Sequence, residues 1–173
     1  LDNHPMDEKI YRKELFSSEM LLLAVPKSAK IPSALQKFAL EHHDVLEGRQ
    51  LLTQTYAVNI RDFMQNSFIA LRHGNDTRIR MDMICEQSGF SPKIQLEVDQ
   101  LTTAYNIVCS NMGITLVSDT LITHTAPVPG VVYYKLDSEQ LYRHSYFYYK
   151  NSSYVTRAMR EFIRTGTSSF ARS

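Results

Sequence analysis

Short apolar runs bounded by glycine, proline or polar clusters predict alternating strands and helices along this chain. Met20–Val25 is an unbroken apolar run that ends at Pro26, and it is too short for an ordinary helix. Such a run is typical of a strand buried on both faces. Ser67–Leu71 predicts a second buried strand, and Asp7–Phe16, which mixes charged and apolar residues, predicts an edge strand.

The segment between the two buried strands has a weaker pattern. Asn59–Met64 predicts a short helical turn. Ser33 is placed to cap a helix that starts after Pro32. The spacing of four residues predicts one face of that helix: Leu35, Phe38, Ala39 and His42.

The alternation is clearest after Leu71. Helices are predicted over Thr77–Ser88 and over Gln100–Met112, with Asp99 as the expected N-cap of the second. Strands are predicted over Pro92–Val98, Ile114–Val117, Val131–Leu136 and His144–Lys150.

The end of the chain predicts one more amphipathic helix, Ser152–Arg164, followed by a loose Ser/Thr-rich tail from Gly166. Its expected inward residues are Val155, Met159, Phe162 and Ile163.

Strands and helices that alternate through short turns indicate an α/β domain with a largely parallel sheet. Ligands of such sheets bind beyond the carboxyl ends of the strands. We therefore expect three segments to lie along one rim: Arg72–Thr77, Asp99–Thr102 and Val117–Asp119.

The loop before Thr77 is the leading candidate for a ligand site, because the start of a helix attracts anions. Arg72 and Arg78 are suited to bidentate binding of a carboxylate. The alternative is a solvated loop in which Asp76 or Thr77 only caps the helix, and capping explains Asp99 equally well. The candidate binding residues are Arg72, His73, Asn75, Asp76, Thr77, Arg78, Asp99, Gln100 and Thr102.

Composition excludes several classes of protein. The 173 residues carry a net charge of +1, which argues against nucleic-acid binding by this chain alone. No apolar run approaches the ~20 residues of a membrane span. The histidines and cysteines lack metal-ligand spacing, and no nucleophile, phosphate-loop or dinucleotide motif occurs. We expect neither an enzyme nor a bound metal or cofactor.

Four stretches of the chain occur in a distinctive order and spacing. Leu15–Pro26 is a leucine-rich run closed by proline, and Phe68–Pro92 is a strand, a polar loop and a helix that ends at Gly89. Gln95–Ile114 is a strand and a helix that turns through Gly113, and Arg143–Lys150 is a strand followed by a helix. In this order and spacing, the four stretches resemble the effector-binding domain of LysR-type bacterial transcriptional regulators, although Asn111 stands where that family usually has glycine.

The resemblance implies a periplasmic-binding-protein-like (type 2) fold: one lobe with a mostly parallel mixed sheet flanked by helices, plus part of a second lobe. Residues 1–25 would be the last strands of lobe one and a crossing, 26–130 lobe two, 131–165 the return to lobe one, and 166–173 a tail. Val25 and Pro26 would form a hinge. The chain lacks an initial methionine and is expected to be a piece of a longer protein. Asp7–Phe16 and Ser152–Arg164 are then expected to expose apolar surface.

The same resemblance implies a cytoplasmic sensor. In this family a small metabolite binds between the lobes and shifts the conformation of a homodimer or homotetramer, which contacts DNA through an N-terminal helix-turn-helix absent from this sequence. The two arginines suggest a carboxylate or an amino acid as the effector. A solute-binding protein of a transport system, which would carry a signal peptide, is the alternative.

Some members of the family sense oxidants through paired cysteines. Cys85 and Cys109 fall on inward helix positions in this sequence, so we expect them to pack in the core instead.

Overall fold

The computed structural model describes residues 7, 9–152 and 154–170, with only the backbone considered for the last three. The chain forms two compact units. Unit one comprises the described residues of 1–19 and 142–173, and unit two is Met20–Leu141. Strand β1 (Tyr11–Pro26) contributes to both units, so the two predicted strands at the start of the chain are one continuous strand.

Most of the regular structure lies in unit two. Its further elements are α1 (His42–Leu46), β2 (Ser67–Leu71), α2 (Asp76–Gln87), β3 (Lys93–Val98), α3 (Leu101–Cys109), β4 (Thr115–Ser118), α4 (Asp119–Thr123) and β5 (Val131–Tyr134). Short 3-10 helices lie at Ser33–Phe38, Arg49–Leu51, Ile60–Phe63 and Glu139–Leu141. Unit one adds β6 (Tyr142–Lys150) and α5 (Arg157–Phe170).

The sheet of unit two is mixed. β2 pairs with β3 in parallel, and a parallel bridge between Phe68 and Ile114 brings β4 alongside β2. β1 pairs antiparallel with β4 on one side and with β5 on the other. The order is therefore β3-β2-β4-β1-β5, with the three parallel strands β2, β3 and β4 at one end.

Alternate residues of β1 enter different halves of the core. Leu21, Leu23 and Val25 belong to one hydrophobic cluster, which also receives α2. Leu22 and Ala24 belong to a second cluster, which receives α3. Because successive side chains of a strand point to opposite faces, the two clusters lie on opposite sides of the sheet. This confirms the prediction that the Met20–Val25 run is buried on both faces.

Unit one is a two-stranded pair with one helix. β6 pairs with the first half of β1, and the rings of Phe16 and Phe147 lie 4.7 Å apart between centroids. Gly166 of α5 comes close to both rings, because a Cβ there would lie 3.1 Å from Phe147 and 3.2 Å from Phe16. The missing side chain allows this close contact between helix and strands.

Two predicted helices differ from the structure. The single helix expected over Leu35, Phe38, Ala39 and His42 is wrong, because the chain forms a 3-10 helix, extends at Ala39 and only then starts α1. Ser33 is the first residue of the 3-10 helix rather than its cap, and no side chain caps that helix.

The last helix lies further along the chain than predicted. α5 begins at Arg157 and continues through the expected loose tail to Phe170. Ile163 is buried as predicted, but Phe162 is 67% exposed and is not an inward residue.

The boundaries of the two units also differ from the predicted domain limits. The chain enters unit two at Met20 and leaves it after Leu141, rather than near residues 25 and 131. The backbone pairing of β1 explains the difference, because Leu21–Pro26 pair with β4 and β5 of unit two. Val25 and Pro26, the predicted hinge, are therefore buried strand residues inside that unit.

Candidate functional site

The carboxyl ends of β2, β3 and β4 form one rim of unit two, as the sequence predicts. The backbone N–H of Arg72 donates to Val98 O at 3.1 Å, so the loop after β2 starts beside the end of β3. β4 ends at Ser118, on the other side of β2. The rim therefore gathers the three segments that begin at Arg72, Asp99 and Ser118.

Arg72 and Asp99 form an ion pair across the rim. The Nε atom of Arg72 lies 2.9 Å from Oδ1 of Asp99, and about seven-tenths of each side chain is exposed. The pair joins the loop after β2 to the segment that leads into α3. Because both groups face solvent, the guanidinium of Arg72 is accessible to a dissolved anion.

Asn75 caps α2. Its side-chain oxygen accepts a hydrogen bond from the backbone N–H of Thr77 at 2.9 Å. The expectation that Asp76 or Thr77 caps this helix is therefore wrong. Asp76 instead pairs with Arg80 at 2.7 Å, one turn further along the helix. Thr77 is buried.

Arg78 is buried beneath the loop, in contrast to Arg72. Its Nε donates to both carboxylate oxygens of Asp82, at 3.0 and 2.8 Å. Its Nη1 donates to the backbone oxygen of Leu71 at 3.1 Å and to Glu97 on β3. Its Nη2 contacts Nε2 of His73 at 3.2 Å. Arg78 thus connects α2, the ends of β2 and β3, and the loop.

The charges of this cluster stabilise each other. Burial opposes the charge of Arg78, but the hydrogen bonds to Glu97 and Asp82 outweigh it and raise the pKa of the guanidinium. The hydrogen bond from Arg78 lowers the pKa of Glu97. Both groups therefore remain ionised over the whole physiological range of pH.

Helix α3 starts at the rim without a side-chain cap. Its N-cap residue is Gln100, whose side chain accepts no hydrogen bond from the helix, so the prediction that Asp99 caps α3 is wrong. The first backbone bond of the helix runs from Ala104 N–H to Gln100 O. Thr102 and Thr103 are exposed, and within the described chain neither backbone N–H has an acceptor. These donors and the helix dipole favour a negatively charged partner.

Behind the rim lies a buried polar contact that the sequence patterns did not reveal. Oδ1 of Asp119 accepts from Met20 N–H at 3.0 Å, and Oδ2 accepts from the side chain of Gln50 at 3.2 Å. Gln50 is 3% exposed, and its Oε1 atom is buried with no hydrogen-bond partner among the described residues. Nothing in the spacing of Gln50 singles it out, because it lies in a three-residue 3-10 helix far along the chain from Asp119.

The remaining candidates are placed as follows. Arg72, His73, Asn75, Asp99, Gln100 and Thr102 are exposed along the rim. Thr77 and Arg78 are buried under it. Among the described residues, no group of three or more His, Cys, Asp or Glu side chains could hold a metal ion. Cys85 is buried and Cys109 is half-buried, both as free thiols, in agreement with the expected packing.

Comparison with known proteins identifies the family. Residues 1–170 match the model of the LysR substrate binding domain, and the chain belongs to that family. The HTH-type transcriptional regulator CzcR of Bacillus subtilis is 30% identical over 139 residues, which cover 79% of this chain and 48% of CzcR. The chain thus spans about half the length of the curated relatives that it matches.

Solved structures show the same fold. The regulatory domain of Synechocystis PCC6803 CcmR, in complex with 2-PG, aligns with a TM-score of 0.67 at 14% identity, over 96% of this chain and 70% of that one. The effector binding domain of QuiR, in complex with shikimate, aligns with a TM-score of 0.64 at 15% identity, over 98% and 69%. Unit two is the periplasmic-binding-like α/β architecture of these domains. No helix in the described part of the chain has the length and apolarity needed to cross a membrane.

Proposed function

We propose that this chain is the effector-sensing part of a LysR-type transcriptional regulator and that a small anion binds at the rim of unit two. One observation carries the choice of an anion. The start of α3 carries unfilled N–H donors, and Asp99, the residue before its N-cap, pairs with the exposed guanidinium of Arg72. Related domains bind 2-PG and shikimate, so small polar metabolites are the class to test.

The rim offers a carboxylate two kinds of donor. Arg72 supplies a planar guanidinium that matches the two oxygens of a carboxylate. The backbone N–H groups of Thr102 and Thr103 supply neutral donors at the positive end of a helix. His73, Asn75 and Gln100 are exposed along the same rim, and we propose that they contact the part of the effector beyond its carboxylate.

A bound effector acts by shifting a population of conformations. It changes the regulator only if it binds one conformation more tightly than another. We propose that DNA contact belongs to a part of the protein outside these residues, because the matched relatives are about twice as long and the chain has a net charge of only +1. A homodimer or homotetramer, in the cytoplasm, is the proposed working form.

Replacing Arg72 by alanine tests the anion site. Isothermal titration calorimetry with a panel of carboxylic acids and amino acids should find at least one acid that binds the unaltered chain. R72A should weaken that acid at least about tenfold, because a charge-assisted bidentate contact is lost.

Arg61→Ala is the matched control. Arg61 is an exposed arginine whose guanidinium donates to Ser88 O, at the far end of α2 from the rim. Its replacement should leave the affinity unchanged. Equal affinities for the unaltered chain and R72A would place the anion elsewhere.

A further inference from the structure

The buried guanidinium of Arg78 connects α2 and the ends of β2 and β3 to His73, in the loop that carries the candidate site. It is 7% exposed, while the side chain of Arg72 is 70% exposed. Each of its three nitrogen atoms contacts an acceptor: Nε contacts Asp82, Nη1 contacts Leu71 O and Glu97, and Nη2 contacts His73. A carboxylate from solvent would have to displace these partners to reach it.

The position of Arg78 in its helix supports a role in holding the loop. It lies in the first turn of α2, where the helix dipole disfavours a positive charge. The hydrogen bonds of the Arg78 guanidinium must therefore offset this unfavourable interaction with the helix dipole. One of them satisfies the buried backbone oxygen of Leu71, the last residue of β2, and another fixes Glu97 of β3. Arg78 thus links the two strand ends from which the loop and Asp99 emerge, in addition to their backbone hydrogen bond.

We infer that Arg78 is a positioning residue, which fixes His73 and the loop at 72–75 relative to β3 and does not itself contact the effector. The consequence for binding rests on the proposed function of the rim. The contact with His73 gives the inference a spectroscopic signature that does not depend on any effector.

The signature is the tautomer of His73. An arginine side chain has only donors, so a hydrogen bond from Nη2 of Arg78, 3.2 Å away, requires Nε2 of His73 to accept. The proton of the neutral imidazole must then be on Nδ1. Oε1 of Glu97 lies farther from the same Nε2 atom, at 3.8 Å, and would favour a proton there. Without a donor in this place, an exposed neutral histidine has no such constraint and can carry its proton on Nε2.

The experiment records the nitrogen chemical shifts of the His73 ring by NMR at alkaline pH, in the full chain. The unaltered chain should show the Nδ1–H form. Arg78→Lys keeps the positive charge but loses the planar fork, so it should change the form to Nε2–H or to a mixture. The Nε2–H form in the unaltered chain would overturn the inference even if R78K failed to fold.

Asp82→Asn is the matched control. In the described part of the chain, the hydrogen bonds of Asp82 to Arg78 come from Nε and not from Nη1 or Nη2, and Asp82 is four residues further along α2. D82N weakens the same buried cluster, so it should lower the melting temperature as R78K does, yet it should keep the Nδ1–H form. The same change of tautomer in both variants would mean that Arg78 only supports the fold.

Calorimetry with the acid that binds the unaltered chain completes the test. R78K should weaken binding about tenfold or more although Arg72 is intact. A displaced loop no longer holds its hydrogen-bond donors in the positions that bind the acid. D82N should stay within about twofold. Unchanged affinity in R78K would overturn the inference. If no acid binds the unaltered chain, the proposed function fails, while the tautomer of His73 still decides whether Arg78 positions the loop.

Discussion

The carboxylate of Asp99 forms an ion pair with the guanidinium of Arg72. Their separation of 2.9 Å is that of a charge-assisted hydrogen bond, but both groups are largely exposed to water. Exposed ion pairs of this kind contribute only about 0–1 kcal/mol. An effector anion can therefore replace Asp99 as the partner of Arg72 at a low cost in free energy. The negative charge of Asp99 nevertheless repels that anion.

Removing this internal competitor should strengthen binding. Asp99→Asn keeps the shape of the side chain and removes its charge, so the affinity for an anionic effector should rise about three- to tenfold at low salt. Calorimetry at two salt concentrations measures the change, which should shrink as salt increases. Asp137→Asn, which removes an exposed charge elsewhere in unit two, should have no effect. A loss of affinity in D99N would show that Asp99 itself binds the effector.

The caps show how far single residues could be predicted from the sequence. The sequence correctly placed the start of α2 within one residue, but it proposed Asp76 or Thr77 where Asn75 is the cap. Neighbouring Asn, Asp and Thr residues all suit a cap, and backbone angles decide among them. Asp99 is not the cap, because α3 begins one residue later than predicted, with Gln100 at its N-cap. The carboxylate of Asp99 instead pairs with Arg72, which follows another strand. No local pattern contains that contact.

At the scale of elements, the parallel contact between β2 and the start of β4 depends on Gly113. Its φ of 126° belongs to the region that favours glycine, and a Cβ there would lie 2.8 Å from the backbone oxygen of Ser67. Ile114, the next residue, exchanges hydrogen bonds with this strand through Ser67 O and Ile69 N–H. The glycine therefore allows both the turn after α3 and the approach of the two strands.

Gly113→Ala should consequently be among the most destabilising single-methyl additions in unit two. We expect a loss of about 3 kcal/mol or more, from backbone strain together with overpacking against β2. Gly130→Ala is the matched control, because Gly130 has a φ of 100° but open space around its Cβ position. It should cost only about 1–2 kcal/mol. Equal losses in urea unfolding would mean that the contact with Ser67 is relieved by a small shift.

The elements that the sequence predicted best are those with dense apolar patterns. β2 has the predicted bounds, Ser67–Leu71, and β4 differs from its prediction by one residue at each end. The segment between Pro26 and Ser67 was predicted least well, because isolated apolar residues such as Leu35 and Phe38 are compatible with several kinds of turn. There the packing against the rest of unit two determines the backbone, and that packing is not visible in local spacing.

At the scale of the whole molecule, the two units differ in how much apolar surface they bury. Unit two contains two clusters of buried side chains, on the two faces of its sheet. In unit one, Ile163 is the only buried hydrophobic residue among those described, while Ile10, Leu15 and Phe162 are each about half exposed or more. The expectation of exposed apolar surface at both ends of the chain is confirmed.

Amide hydrogen exchange should therefore separate the two units. Local stability follows the density of buried apolar contacts, so backbone amides of Tyr146–Tyr149 should exchange at least about 100-fold faster than those of Leu21–Val25. Mass spectrometry of the exchanged chain resolves both segments. Similar protection in β6 and in the second half of β1 would contradict this picture and show that unit one gains its stability from contacts other than buried apolar ones.

The buried thiol of Cys85 can serve as a chemical probe of local opening at α2. Cys85 is fully buried on α2, the helix that carries Arg78, and burial raises the pKa of its thiol to about 12. A thiol reagent reacts with the thiolate, so it can label Cys85 only in molecules whose α2 has moved away from the sheet. In a chain with Cys109 replaced by serine, the labelling rate reports the population of molecules in which α2 is open, when reclosing is faster than labelling. An effector that binds the rim of the closed form should lower this population and therefore slow the labelling.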